Sequence, residues 1–292
     1  MTERFEKIAV LGLGLLGGSI ALAAKARGVA AVVAGTGRRP EALAEARRRG
    51  SIEATTSLAE AVRGAGLVIL CTPVSSMADQ IRAAAPHLQR DAIVTDVGSV
   101  KAPLVDTLPG LLPSGVAYVG AHPMAGSHHR GIEHARADLL DGAACVLTPT
   151  RETPPHALSR VSAFFTALGA RVVLRDPSVH DAEVGWMSHV PHALAFAFAR
   201  ALRAAPEAAG EVAGPGFRDF TRIAQSDAEL WSDILLANRK AVGAALQSVR
   251  DEIGALAAAL DDGDPDALER FIAAARQRLA RISERAGGDR ER

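Results

Sequence analysis

Short apolar runs alternate with stretches of helical period over the first 175 positions. Residues 8–11, 31–35, 67–71, 92–96, 116–119, 143–147 and 171–174 each read as a strand. Runs this short and apolar suit strands covered by helices on both faces. Between them lie helix-like segments. Residues 19–27 close at Gly28, residues 41–49 close at Gly50, and Ser57 caps a short helix ending before Gly64. Residues 75–85 and 155–168 continue the series. Strand alternating with helix predicts an α/β fold with a mostly parallel sheet.

After about Asp176 the strand pattern stops. Residues 178–202 read as one helix with Pro191 inside it, which predicts a kink and a freed carbonyl. Residues 227–260 read as one long helix. Its apolar stripe is Trp231, Ile234, Leu235, Val242, Leu246, Val249, Ile253, Leu256 and Leu260. A further helix carries Leu268, Phe271, Ile272, Ala275, Leu279 and Ile282 at the same steps. Stripes this long need a partner, so a homodimer through the helical region is expected. The division is 1–175 as a dinucleotide-binding Rossmann-type domain, 176–286 as an all-α domain for substrate and dimerisation, and 287–292 as a charged, disordered tail.

The first strand runs into Gly12-Leu-Gly-Leu-Leu-Gly-Gly-Ser19, so Gly12, Gly14 and Gly17 have the G-x-G-x-x-G spacing. Gly12 permits the tight turn, Gly14 lets backbone approach a pyrophosphate, and Gly17 lets helix pack on strand. With Leu15 and Leu16 among the cofactor-binding residues of the turn, the helix N-terminus offers free N–H groups and a positive dipole end to the phosphates. An acid about 20 residues later would bind the adenosine ribose. That position is Gly37, and Arg38 and Arg39 follow. A guanidinium pairs with a 2′-phosphate where a carboxylate would repel it. NADP is therefore favoured. NAD stays open, with Glu41 or another group at the ribose and the arginines as solvated loop charges.

Ligands of open α/β sheets bind at the carboxyl ends of strands. Thr72 and Pro73 follow the strand 67–71 there, and Gly98, Ser99 and Lys101 follow the strand 92–96. His122 follows the strand 116–119, and a neutral imidazole there accepts a proton from a substrate hydroxyl as hydride leaves its carbon. His189 and His192 share a helix face. Core-edge histidines and groups lining a cleft are equally compatible with that spacing. Arg218 and Arg222 are four apart and project together on a helical turn, suited to holding a carboxylate, with Asp219 placed to orient one of them.

Composition narrows the classes. Lys+Arg and Asp+Glu are both 33 in 292 residues, so neither nucleic acid nor an anionic membrane is called for. No apolar stretch is long enough to span a bilayer and no signal core follows Met1. The two cysteines, Cys71 and Cys145, read as buried thiols of a reducing compartment. No arrangement of His, Cys and Asp fits a metal. A cytoplasmic protein is expected.

Five motifs in order resemble the prephenate/arogenate dehydrogenases of tyrosine biosynthesis. They are the glycine turn, Asp96-Val-Gly-Ser-Val-Lys101, Gly120-Ala-His-Pro-Met-Ala-Gly-Ser127, Ser188-His-Val-Pro-His192 and Arg218-Asp-Phe-Thr-Arg-Ile-Ala224. The resemblance covers about residues 6 to 285. It implies oxidative decarboxylation of a cyclohexadiene, prephenate or arogenate, with hydride passing to NAD(P). It implies His122 as the group that polarises the ring hydroxyl, Ser99 beside that hydroxyl and the nicotinamide, and Arg222 on a substrate carboxylate. Ser127, Ser188, His189 and His192 match cleft residues. Gly37 departs from the family's usual acid, and His128 stands where many members carry glutamate. Prephenate is preferred, because no residue declares itself for the ammonium of arogenate. Two other readings stand beside this one: another two-domain hydroxy acid dehydrogenase, and a non-catalytic dinucleotide sensor.

Overall fold

The computed structural model describes residues 4–50, 52–126 and 131–287. Eight strands form one sheet: β1 (Phe5–Leu11), β2 (Ala30–Thr36), β3 (Glu53–Thr55), β4 (Leu67–Leu70), β5 (Ile93–Asp96), β6 (Ala117–Pro123), β7 (Ala144–Thr148) and β8 (Arg171–Leu174). The helices among and after them are α1 (Leu15–Ala26), α2 (Pro40–Gly50), α3 (Leu58–Val62), α4 (Val74–Ala84), α5 (Ala102–Thr107) and α6 (Pro155–Ala167). They continue as α7 (Pro177–Val184), α8 (Val190–Ala201), α9 (Pro215–Thr221), α10 (Ala228–Ala237), α11 (Arg239–Asp261) and α12 (Pro265–Gly287). Two compact units divide the chain, Met1–Val242 and Gly243–Arg292.

The spatial order is β3-β2-β1-β4-β5-β6-β7-β8. Its first six strands are parallel neighbours in the Rossmann order. β7 runs antiparallel to β6, and β8 is parallel to β7. Alternation along β1 divides its side chains between two cores. Ile8 and Val10 pack with Ile20 of α1 and Ile69, while Ala9 and Leu11 pack with Val68, Leu70 and Met77 of α4. Both faces are thereby covered, which explains the uniformly apolar runs.

The glycine turn has the geometry its spacing requires. Gly12 has φ +113°, and a Cβ on Gly17 would stand 2.0 Å from the Gly12 carbonyl oxygen. Gly17 is closed to larger residues by the turn itself, and Gly12 by its positive φ and by the Cys71 carbonyl oxygen, 2.6 Å from an added Cβ. A Cβ at Gly14 would meet nothing within 4 Å, so that face of the turn is open. Gly14 is also the N-cap of α1 and offers no side-chain cap, which leaves the first-turn N–H groups for a ligand.

The helical region differs from expectation in three ways. The long helix 227–260 is two helices, α10 and α11, with Asn238 as the C-cap of α10. Residues 178–202 are not one uniform helix: Asp176 caps α7 through Ser178 N and Val179 N, and a π-helical turn, Gly185–His189, joins α7 to α8. Pro191 lies in the first turn of α8, where a missing N–H costs little. β3 escaped the sequence pattern because three residues show no period. The tail beyond Gly287 lies outside the described residues, as do Ser127 and His128. Cys145 is buried, whereas Cys71 is only half-buried, and both are free thiols.

Candidate active site

The carboxyl end of β5 sets the site's frame. Asp96 is fully buried, and its carboxylate accepts from the Tyr118 hydroxyl at 2.7 Å, Gly98 N at 2.8 Å and Ala121 N at 3.1 Å. The buried ammonium of Lys101 forms an ion pair with Asp96 and donates to the Ala121 carbonyl at 2.8 Å. Both backbone polar groups of Ala121 are thus held by side chains from β5 and its loop. The next residue, His122, lies inside β6 rather than past the strand end expected at 119, because pairing with Val146 of β7 extends the strand and fixes its backbone. Burial lowers the Lys101 pKa, and burial followed by Asp96 raises that of Tyr118.

The His122 ring meets α7. Its Nδ1 lies 2.9 Å from His180 Nε2, and His180 Nδ1 lies 2.8 Å from Asp181 Oδ1. The two imidazoles cross edge-on, with planes at 76°. Asp181 also accepts Lys101 N at 2.7 Å and Ala102 N at 2.9 Å, tying α7 to the start of α5. His122 is 9% exposed, and its pKa lies well below the ordinary value. Burial is the main cause, followed by His180, Lys101 and His189. A neutral ring is therefore the resting state at pH 7, which a proton acceptor requires.

His189 emerges from the π-helical turn onto Asn238. The Asn238 amide donates to the Asp181 carbonyl at 2.8 Å and approaches His189 Nδ1 at 3.0 Å. With Nδ1 accepting, His189 carries its proton on Nε2, which is buried and has no partner among the described residues. Burial lowers its pKa to about 4. His192 behaves differently. Its Nδ1 donates to the Ser188 carbonyl at 2.9 Å, and its ring stacks on Trp231 at 3.7 Å. Burial lowers its pKa, and the nearby Arg222 guanidinium acts in the same direction. Trp231 joins Val100 and Ile234 in a small apolar cluster against the loop after β5.

The remaining expected residues fall into place unevenly. Ser99 is half-buried in that loop, between Gly98 and Val100. Arg218 lies in α9, while Arg222 opens a 3-10 turn after it; both are exposed. Among the described residues Asp219 pairs with neither arginine. Thr72 donates to Gln80 at 2.9 Å, and Pro73 caps α4. Arg38 and Arg39 are exposed beyond Thr36, with no acceptor among the described residues. Ser188 is half-buried in the π-helical turn. Lys101, Asp96, His180, Asp181 and Asn238 were not expected as site residues. The adjacent pair His180-Asp181 was the available signal, but nothing local links it to His122.

The glycine turn and the His122 cluster sit on the same edge of the sheet, three strand spacings apart, roughly 14 Å. A parallel Rossmann sheet whose carboxyl edge carries an open glycine turn and a neutral, buried imidazole defines a dinucleotide-dependent dehydrogenase. Residues 20–174 match the nucleotide-binding domain of prephenate dehydrogenase, and residues 176–274 match its dimerization domain. The chain belongs to the prephenate dehydrogenase family. It is 32% identical over 283 residues to the cyclohexadienyl dehydrogenase of Zymomonas mobilis, covering 94% of this chain and 96% of that one. It is 32% identical over 281 residues to the prephenate dehydrogenase of Bacillus subtilis, covering 94% and 76%. The Aquifex aeolicus prephenate dehydrogenase, solved with hydroxyphenyl propionate and NAD+, superposes with a TM-score of 0.86 at 31% identity, covering 94% and 98%.

Proposed function

We propose that this chain catalyses the oxidative decarboxylation of prephenate to 4-hydroxyphenylpyruvate in tyrosine biosynthesis. The observation that carries the reading is the buried, neutral His122 on the sheet edge that also bears the glycine turn. The dinucleotide supplies the acceptor for the hydride that leaves the hydroxyl-bearing ring carbon. His122 takes the hydroxyl proton as that carbon becomes a carbonyl. The ring carboxylate departs as carbon dioxide, its bonding electrons complete the aromatic ring and pass to the carbonyl oxygen, and that oxygen takes the proton back from His122. Aromatisation supplies much of the driving force, so the chain's main tasks are positioning and charge.

Ser99 donates near the same hydroxyl, and Arg222 holds a substrate carboxylate, with Arg218 one turn away. Ser188, His189 and His192 line the substrate, the His189 Nε2–H without a partner among the described residues being the donor best suited to an oxygen of it. Ser127 and His128, outside the described residues, are assigned to the substrate by the resemblance alone. Arogenate would bring an ammonium. The two buried carboxylates of this cluster, Asp96 and Asp181, are already filled by N–H and O–H donors, which favours the keto acid.

Gly12, Gly14, Leu15, Leu16 and Gly17 cradle the pyrophosphate, with Thr72, Pro73 and Gly98 beside the dinucleotide. NADP is the preferred form. At Gly37 an added Cβ would meet only ordinary contacts, 3.7 Å from Leu43 and 3.9 Å or more from Leu13, so packing does not exclude an acid there. The missing acid and the two unengaged arginines leave room and charge for a 2′-phosphate. Residues 1–175 bind the dinucleotide, and residues 176–286 complete the substrate site and form a homodimer. The exposed Ile253, Leu260, Ile272 and Leu279 of α11 and α12 support that interface. The free thiols fit a cytoplasmic location.

Steady-state rates for NAD or NADP with prephenate or arogenate test the reading. NADP with prephenate should be fastest. NAD ahead of NADP would overturn the role of Arg38 and Arg39, and inactivity on both dienes would overturn the activity itself.

A further inference from the structure

His180 and Asp181 lie outside the set of groups that touch the substrate, yet they form a continuous buried chain from His122 to the backbone of α5. The proton positions along that chain are set from its far end. Both Asp181 oxygens accept backbone N–H groups, Lys101 N at 2.7 Å and Ala102 N at 2.9 Å. A carboxylate so placed can only accept, so His180 Nδ1, 2.8 Å from Oδ1, carries a proton. A neutral His180 then presents the lone pair of Nε2, and His122 Nδ1 at 2.9 Å must donate to it. The remaining His122 nitrogen, Nε2, is left with a lone pair for a group from outside the chain.

We propose that Asp181, acting through His180, is a positioning device that holds His122 as the Nδ1–H tautomer with Nε2 as the proton acceptor. This rests on the dehydrogenase reading of the site. The opposite tautomer requires His180 to donate from both nitrogens, as an imidazolium. His180 is 1% exposed, and the buried Lys101 ammonium already places positive charge in the same pocket. Either cost works against that state. The same hydrogen-bonded chain stabilises His122 once it is protonated. When Nε2 of His122 takes the substrate proton, the positive ring faces an imidazole whose own proton is held by a carboxylate. Its Nδ1 proton then polarises toward His180 without leaving, and the Asp181 charge is felt through two hydrogen bonds.

The experiment has two arms. Side-chain nitrogen–proton NMR of the wild-type protein without substrate reads the His122 tautomer directly. Nδ1–H on both His122 and His180 is the expected result; Nε2–H on His122 with a doubly protonated His180 overturns the proposal, whatever the enzyme's substrate is. Kinetics supply the second arm. His180→Leu removes the acceptor, and kcat should fall about 100-fold or more with KM and cofactor Kd little changed. His180→Gln can present a carbonyl oxygen to His122 Nδ1–H and should recover part of that loss. Equal kcat in wild type, His180→Leu and His180→Gln overturns it. Should His180→Leu fail to fold, the wild-type tautomer and the His180→Gln rate still decide. Wild-type inactivity on both dienes, with the Nδ1–H tautomer present, would fault the substrate assignment and leave the tautomer device standing.

Discussion

The glycine turn draws its spacing from six consecutive residues and is walled by Cys71 at the end of β4, whereas the His122 cluster is assembled from partners up to 80 residues apart. At the turn, Gly12 and Gly17 exclude side chains by contact with the turn and strand beside them. The turn also exposes backbone donors and waits for an anion. At the cluster, side chains exclude water, and the consequence is the reverse: three histidines, His122, His189 and His192, are pushed toward the neutral form. One region attracts charge through backbone fixed by local geometry. The other suppresses charge through burial that only distant packing can produce. Damage to the first should therefore appear as lost cofactor affinity, and damage to the second as lost turnover or altered pH response.

The largest expected break is His122→Asn. Losing the proton acceptor should lower kcat about 100- to 10,000-fold, about 3–5 kcal/mol, while the dinucleotide still binds. Stopped-flow turnover beside a cofactor titration measures both, and parallel loss of binding would erase the proposed division of labour.

Next in size is acid sensitivity. His189 titrates at about 4 when folded, below the value near 6.5 of an unfolded chain, so the unfolded state takes the proton first. The stability is complete above about pH 6.5 and is lost as pH falls through 4. For this residue alone it amounts to about 3 kcal/mol, and the lowered values of His122 and His192 act in the same sense. Urea melts from pH 7 to pH 4 should show a shallower slope for His189→Gln; identical slopes would remove His189 from the account.

Asn238→Ala should cost about 2 kcal/mol, because it strips the Asp181 carbonyl and His189 Nδ1 of their donor. Chemical denaturation reads this, and a change under about 0.5 kcal/mol would mean that water replaces the amide. Gly14→Ala sharpens the other side of the comparison. An added methyl meets nothing in the protein, so melting should stay put while dinucleotide Kd rises about tenfold, about 1.4 kcal/mol. A lowered melting temperature with unchanged Kd would show that Gly14 serves the fold rather than the ligand.

Much of the α/β half was legible because a covered parallel strand leaves a short apolar run. β3, with three residues, leaves none, and the antiparallel turn into β7 has no mark in the sequence of β7 itself. The helix break at Asn238 was hidden because Trp231, Ile234, Leu235 and Val242 keep helical steps across it. The π-helical turn was hidden for a similar reason: Pro191 suggested a kink, but the extra residue that turns His189 toward Asn238 lies before it. His122 was visible as a histidine near a strand's carboxyl end, but its place inside β6 was not, because the antiparallel partner that extends the strand comes from β7. Lys101, the residue whose ammonium, backbone N–H and neighbour secure both Ala121 and Asp181, was visible only as part of the segment after the strand 92–96.

The α/β succession of the first half, the glycine turn and the lack of an acid at Gly37 follow from residue order alone. These depend on backbone sterics and side-chain period, which act between near neighbours. Packing from far along the chain sets His180 against His122, fills Asp181 with backbone donors and leaves His189 with an N–H that has no partner among the described residues. The reason is physical: protonation state and tautomer are set by desolvation and by the donors a ring meets. Both are properties of neighbours that the fold brings from far along the chain.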